Sequence, residues 1–109
     1  MPIRQVVIYC RVDGPVNQST PALIEKQKRK LLDYAQSKKL LVKNCYEDAG
    51  YSGCDMQRPG LSNLIRNFKA ENINSVLVVS QSRLYRGAMP DELHELSGKI
   101  ISIDIPYER

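Results

Sequence analysis

Alternating strand and helix signals predict an α/β domain built on an open parallel sheet in the order 2-1-3-4, with helices on both faces. Three observations lead there. Four short apolar runs rich in β-branched residues recur along the chain. Stretches with helical periodicity lie between them. No repeat, low-complexity tract or internal linker interrupts the 109 residues, so 1–109 reads as one domain.

The first run, Val6–Cys10, is almost wholly apolar and reads as a strand buried on both faces. Asp13-Gly14-Pro15 ends it, and Val16 to Ser19 is loop. Thr20-Pro21 supplies an N-cap followed by proline at the first helical position. Ile24, Leu31, Leu32 and Ala35 then recur at helical spacing, with Glu25, Lys26, Arg29 and Lys30 facing out. This helix should end near Lys38 or Lys39.

The second strand begins at Leu40 and reaches about Tyr46. Glu47 to Gln57 reads as a loop punctuated by Gly50 and Gly53. Pro59 opens a second helix whose Leu61, Leu64, Ile65 and Phe68 follow the i, i+3, i+4, i+7 rule. Ser75–Val79 is the third strand. A short third helix over Pro90–Ser97, with Gly98 near its C-cap, leads to a fourth strand, Ile100–Ile105. The architecture is flavodoxin-like, with its switch point between the first and third strands.

Composition narrows the functional classes. The apolar and charged fractions, 42% and 26%, are ordinary for a globular domain and exclude disorder. A net charge of +4 is compatible with a nucleic-acid partner without demanding one. Cys10, Cys45 and Cys54 form no C-x-x-C pair and His94 is the only histidine, so no metal site is expected. Reduced thiols, no secretory h-region and no membrane-length apolar run point to the cytoplasm.

Chemistry concentrates where strands end. Tyr9-Cys10-Arg11-Val12-Asp13 follows the first strand and Ser80-Gln81-Ser82-Arg83-Leu84-Tyr85-Arg86 follows the third. Neighbouring strands would bring Arg11, Arg83 and Arg86 together, and converging guanidiniums suit a phosphate. Taken singly, each arginine is more often structural. Asp48 falls on the same rim, where a loop cap or ion pair is its commoner fate. Arg58, just before the second helix, could point over it. Gln27 sits on the apolar face of the first helix; it is either the edge of the stripe or a polar side chain that reaches an arginine or a phosphate oxygen.

Together these segments resemble the catalytic domain of the serine recombinases, the resolvase and invertase family. The resemblance rests on Tyr9-x-Arg11-Val12, on Gln18-Ser19 leading through to Gln27, and on Asp48-Ala49-Gly50-Tyr51-Ser52-Gly53. Arg58-Pro59-Gly60-Leu61 and Arg83-Leu84-Tyr85-Arg86 complete it. It spans nearly the whole chain and looks closer to the large or transposon-borne branch than to the small resolvases. It implies DNA as partner and a metal-free, cofactor-free attack by serine on a phosphodiester. It assigns the site to Tyr9, Arg11, Gln27, Asp48, Arg58, Arg83 and Arg86, with the four arginines on DNA phosphates. It also implies a long dimerisation helix and a DNA-binding domain after this one; neither is expected within 1–109. A longer parent would be the oligomeric form.

Two positions depart from the family pattern. Asp13 stands where the nucleophilic serine belongs, and Ser82 stands where an acid precedes the Arg-Leu-x-Arg segment. The expectation is a recombinase domain that cleaves DNA little or not at all. A regulatory or DNA-occupying pseudo-recombinase is the alternative. A phospho-receiver or nucleotide-binding domain fits worse. The third strand leads into a basic segment rather than an acid, and no glycine-rich phosphate loop is present.

Overall fold

Four parallel strands form one sheet in the order β2-β1-β3-β4, the order the sequence predicts. The computed structural model describes residues 4–52, 55–85 and 87–103. The elements are β1 (Gln5–Val12), α1 (Thr20–Ser37), β2 (Leu41–Ala49), α2 (Pro59–Ala70), β3 (Ser75–Val78) and β4 (Ile100–Ser102). Two 3-10 segments, Gln81–Arg83 and Asp91–Leu96, lie between β3 and β4.

Strand alternation sorts the core into two layers. Val7, Tyr9, Val76 and Val78 face α2 and the second 3-10 segment, meeting Leu61, Leu64, Phe68, Leu93 and Leu96. Val6, Ile8, Cys10 and Leu77 face α1, meeting Ile24, Leu31 and Ala35. Helical structure therefore covers both faces, as a parallel sheet requires.

Several boundaries differ from the sequence reading. β1 continues past Cys10 through Arg11 to Val12, so Arg11, expected at the strand's end, lies within it. β2 extends past Tyr46 to Ala49 and takes in Glu47 and Asp48. It pairs with β1 along its whole length, with one irregularity where Val6 faces Val42 and Val7 faces Asn44. Lys43 is the residue passed over. The third helix is 3-10 in form and only six residues long. Ser19, not Thr20, occupies the N-cap of α1 and makes no capping side-chain bond. The Thr20 hydroxyl instead accepts from the Asn17 amide at 2.9 Å. Leu32, placed on the apolar stripe by spacing, is exposed. The last part of the fourth strand, from Asp104, lies outside the described residues, as do Gly53, Cys54 and Arg86.

Cys10 is fully buried between strand and helix, and burial pushes its thiol from the ordinary 9.0 up to about 12. The nearby Cys45 thiol and Glu47 carboxylate add to the shift. Cys10 should therefore resist iodoacetamide at pH 8 in the native state and react on unfolding, as peptide mass mapping would show. A native-state adduct on Cys10 would contradict this packing. The sign of the linkage is also set. Below pH 9 the thiol is neutral in both states. As pH climbs from 9 towards 12 only the unfolded chain ionises it, so stability is lost across that window.

Candidate functional site

The site sits at the carboxyl ends of β1, β2 and β3, around two arginines with no exposed surface, Arg11 and Arg58. In β1, Arg11 follows Tyr9 by two residues and so points to the α2 side. Its guanidinium is consumed by main-chain oxygens. Nε donates to the carbonyl of Arg83 at 2.8 Å, and Nη1 to that of Tyr51 at 2.7 Å. Nη2 donates to that of Ser82 at 2.7 Å. Nη1 also forms an ion pair with the half-exposed carboxylate of Asp13.

Arg58 occupies the N-cap position of α2 in extended backbone, which sends its side chain back over the sheet. Nη1 donates to the carbonyl of Arg83 at 3.2 Å, and Nη2 donates to that of Leu84. Its guanidinium lies 5.5 Å from the centre of the Tyr9 ring, a cation–π contact in a desolvated setting. The Arg83 carbonyl thus serves both buried arginines. Arg83 itself is half-buried, and its Nη1 donates to the Arg11 carbonyl at 3.2 Å. Two donors are left over. The Nε atoms of Arg58 and Arg83 are buried without a hydrogen-bond partner among the described residues.

Asp48 is buried and fully engaged. Oδ2 accepts from the Tyr9 hydroxyl at 2.7 Å and from the Leu61 amide at 3.0 Å, while Oδ1 accepts from the Gly60 amide at 2.8 Å. A carboxylate on the first amides of a helix satisfies donors that have no partner within the helix. This contact fixes the start of α2, and with it Arg58. Close approach is the reason residue 60 is glycine. A Cβ there would lie 2.5 Å from the Glu47 carbonyl oxygen. Burial holds the Tyr9 hydroxyl well above its ordinary range, and its bond to Asp48 adds to that. Tyr9 is therefore a neutral donor at any ordinary pH.

Gln27 reaches β1 from α1. Its Oε1 accepts from the Arg11 amide at 3.2 Å and its Nε2 donates to the Arg11 carbonyl at 2.9 Å. The partner anticipated for this residue is thus an arginine, met through its main chain.

Of the residues singled out from sequence, Tyr9, Arg11, Asp13, Gln27, Asp48, Arg58 and Arg83 come together; Arg86 lies outside the described residues. The sequence reading missed the acceptors. The carbonyls of Tyr51, Ser82, Arg83 and Leu84 hold the guanidiniums, and main-chain oxygens leave no trace in residue identity. Gly60 stands in the Arg-Pro-Gly-Leu motif, but its packing against β2 leaves no mark in the sequence. Ser82, at the family's acidic position, presents its hydroxyl to that of Ser80 at 3.0 Å.

This fold is that of serine-recombinase catalytic domains. The chain belongs to the resolvase family: the family model described as "Resolvase, N terminal domain" matches residues 6–105. Among solved structures it is similar to the C-terminal catalytic domain of ISC1926 TnpA, an IS607-like serine recombinase. That match has 26% identity and a TM-score of 0.79, covering 96% of this chain and 71% of that one. The N-terminal catalytic domain of TP901-1 integrase is similar at 29% identity and TM-score 0.76, covering 92% and 78%. A serine recombinase from Sulfolobus solfataricus shares the fold at 21% identity and TM-score 0.64, covering 97% and 72%. No curated protein sequence matches the chain. An IS607-like serine recombinase among these neighbours accords with the branch the motifs suggest. Among the described residues no helix is long and apolar enough to cross a membrane.

Proposed function

We propose that this domain binds the DNA backbone as a serine-recombinase catalytic domain does, and that Asp13 keeps it from cutting. One observation carries the first half of this reading. Among the described residues the cluster is short of acceptors, because the Nε atoms of Arg58 and Arg83 are buried with no hydrogen-bond partner there. Buried charged donors left unmade are costly, and a phosphate supplies several acceptor oxygens at once. Arg11 would join by exchanging a main-chain carbonyl for a phosphate oxygen. Arg86 would complete the cationic set. Tyr9 and Asp48 act through α2 to place Arg58, and Gln27 acts through β1 to place Arg11. These three are positioning residues in this reading.

The second half rests on the chemistry of Asp13. In the family a serine hydroxyl attacks the phosphodiester and conserves its bond energy in a phosphoseryl link, so strands can be rejoined without ATP. Fixed guanidiniums stabilise the charge that develops at phosphorus. A carboxylate is a weak nucleophile toward a phosphodiester, and an acyl phosphate is labile to water. Its charge also opposes the incoming phosphate, by about 4 kcal/mol at 4 Å and an effective dielectric of 20. The Asp13 carboxylate already meets Arg11, so it takes part of the positive field that a phosphate would use. That pair favours a DNA-occupying or regulatory role over an impaired but active one.

The test is covalent trapping on supercoiled recombination-site DNA, read on a denaturing gel. The chain should give no protein–DNA adduct, and its non-covalent binding should fall steeply with salt. Asp13→Ser should restore an adduct, with Ser82→Asp added if the single change is silent. An adduct on Asp13 itself would overturn the reading.

A further inference from the structure

β2 is the outer strand of the sheet, and among the described residues no strand pairs with its free side along Leu41–Ala49. A long open edge of this kind is a template for another strand. Alternation decides which main-chain groups line it. The Gly50 amide turns inward, to the Val12 carbonyl at 2.8 Å. Stepping back by twos from its neighbour Ala49, the amides and carbonyls of Glu47, Cys45 and Lys43 turn outward. The Cys45 amide agrees with this. Its acceptor is Oδ1 of Asn44, the preceding residue, at 3.0 Å, and not a carbonyl of β1. The outward series is therefore a cation, a neutral residue and an anion, spaced evenly about Cys45.

We propose that β2 pairs antiparallel with β2 of a second copy of this chain, about a two-fold axis at Cys45, joining two four-stranded sheets into one. The axis sets Lys43 opposite the partner's Glu47, and Glu47 opposite the partner's Lys43, in an isologous contact. Opposite charges facing each other across strands stabilise a pairing, and like charges oppose it. Moving the axis to Lys43 or to Glu47 would set lysine against lysine or glutamate against glutamate, so charge selects the one register. Glu47 is half-exposed and meets Lys28 at 3.5 Å, which leaves its carboxylate open to a second cation. The partner's Cys45 carbonyl would take over the Cys45 amide from Asn44. Apolar exposure lies along the same edge. The Lys28–Glu47 contact turns that side of α1 to β2, and Leu32, one turn further on, is 39% exposed. Leu41, at the start of β2, is 47% exposed. In the joined sheet the carboxyl ends of the two sets of strands point to opposite ends. Each arginine cluster stays open, and the pairing does not depend on the DNA reading above.

The test is sedimentation equilibrium of the chain without DNA, up to about 1 mM. A monomer–dimer equilibrium should appear. Lys43→Glu and Glu47→Lys change exposed or half-exposed side chains and should each fold, as melting curves would show. Alone, each sets like charges at both contacts and should weaken self-association at least about tenfold. Mixed together they should associate as the parent does, because both contacts in the mixed dimer are again lysine against glutamate. Hydrogen exchange at the Lys43, Cys45 and Glu47 amides should slow as the concentration rises, while the Leu41 amide, bonded to the Arg4 carbonyl, should not respond. A monomer at every concentration would overturn the proposal. So would a dimer indifferent to both charge reversals, a mixture that fails to recover, or edge amides whose exchange ignores concentration.

Discussion

Replacing Arg11 by methionine should lower the unfolding midpoint by roughly 12 °C or more, from a loss of about 3 kcal/mol. Methionine keeps much of the aliphatic stem, so little packing is lost. What goes is the fork. The carbonyls of Tyr51, Ser82 and Arg83 each lose a charged donor, and Asp13 loses its cation. The Arg83 carbonyl keeps Arg58, but those of Tyr51 and Ser82 lose the donor from Arg11, at a cost on the order of 1–3 kcal/mol apiece before any relaxation. Arg11→Lys should recover only part of the loss, because an ammonium cannot span three acceptors that a planar guanidinium meets together. Arg66→Met, on an exposed helix position, is the control and should shift stability by no more than about 0.5 kcal/mol. Thermal melts by circular dichroism decide the matter. If Arg11→Met melts with the parent, the guanidinium is not what ties the segment after β3 to the sheet.

A second large effect is expected at Asp48. Asparagine has the same shape but only one acceptor oxygen. Whichever way its amide turns, an NH₂ group faces at least one of the Gly60 and Leu61 amides, donor against donor. The expected loss is about 2–3 kcal/mol. It should show most strongly at the start of α2, where amide exchange would quicken ahead of the global rate. The sharper consequence concerns Arg58, which α2 carries at its N-cap. In Asp48→Asn, salt-dependent DNA binding should weaken although residue 48 touches no phosphate in the proposed reading. Stability and exchange matching the parent would show that the carboxylate does not anchor the helix.

Much of the fold was legible because its signals are local and redundant. The apolar runs of β1 and β3 have no other use than a sheet buried on both sides, and α2 announces its buried face in Leu61, Leu64 and Phe68. The departures share a cause. Strand signals weaken where polar side chains enter the layer, and they enter at the site. Arg11 and Asp48 are buried polar residues in strands, so periodicity ended β1 and β2 too early. Gln27 was visible as a polar side chain on an apolar stripe. Its partner was not, because a main-chain amide and carbonyl look the same in every residue. The same limit applies to the arginine cluster. Sequence motifs indicated which guanidiniums gather, but not that carbonyls of the segment after β3 would already hold two of them.

The Gln27 contact has a mechanical side. β1 pairs with β3 only from Val6 to Ile8. Beyond that point β1 loses a neighbour. The Val12 carbonyl is taken on the β2 side by the Gly50 amide, so the amide and carbonyl of Arg11, one residue earlier, face the side β3 has left. The Gln27 side chain meets both, much as a peptide unit in a next strand would. One residue of α1 thereby stands in for a missing stretch of sheet, and the helix and the tip of β1 become a single lever. A shift of α1 would reach Arg11 directly through these two hydrogen bonds.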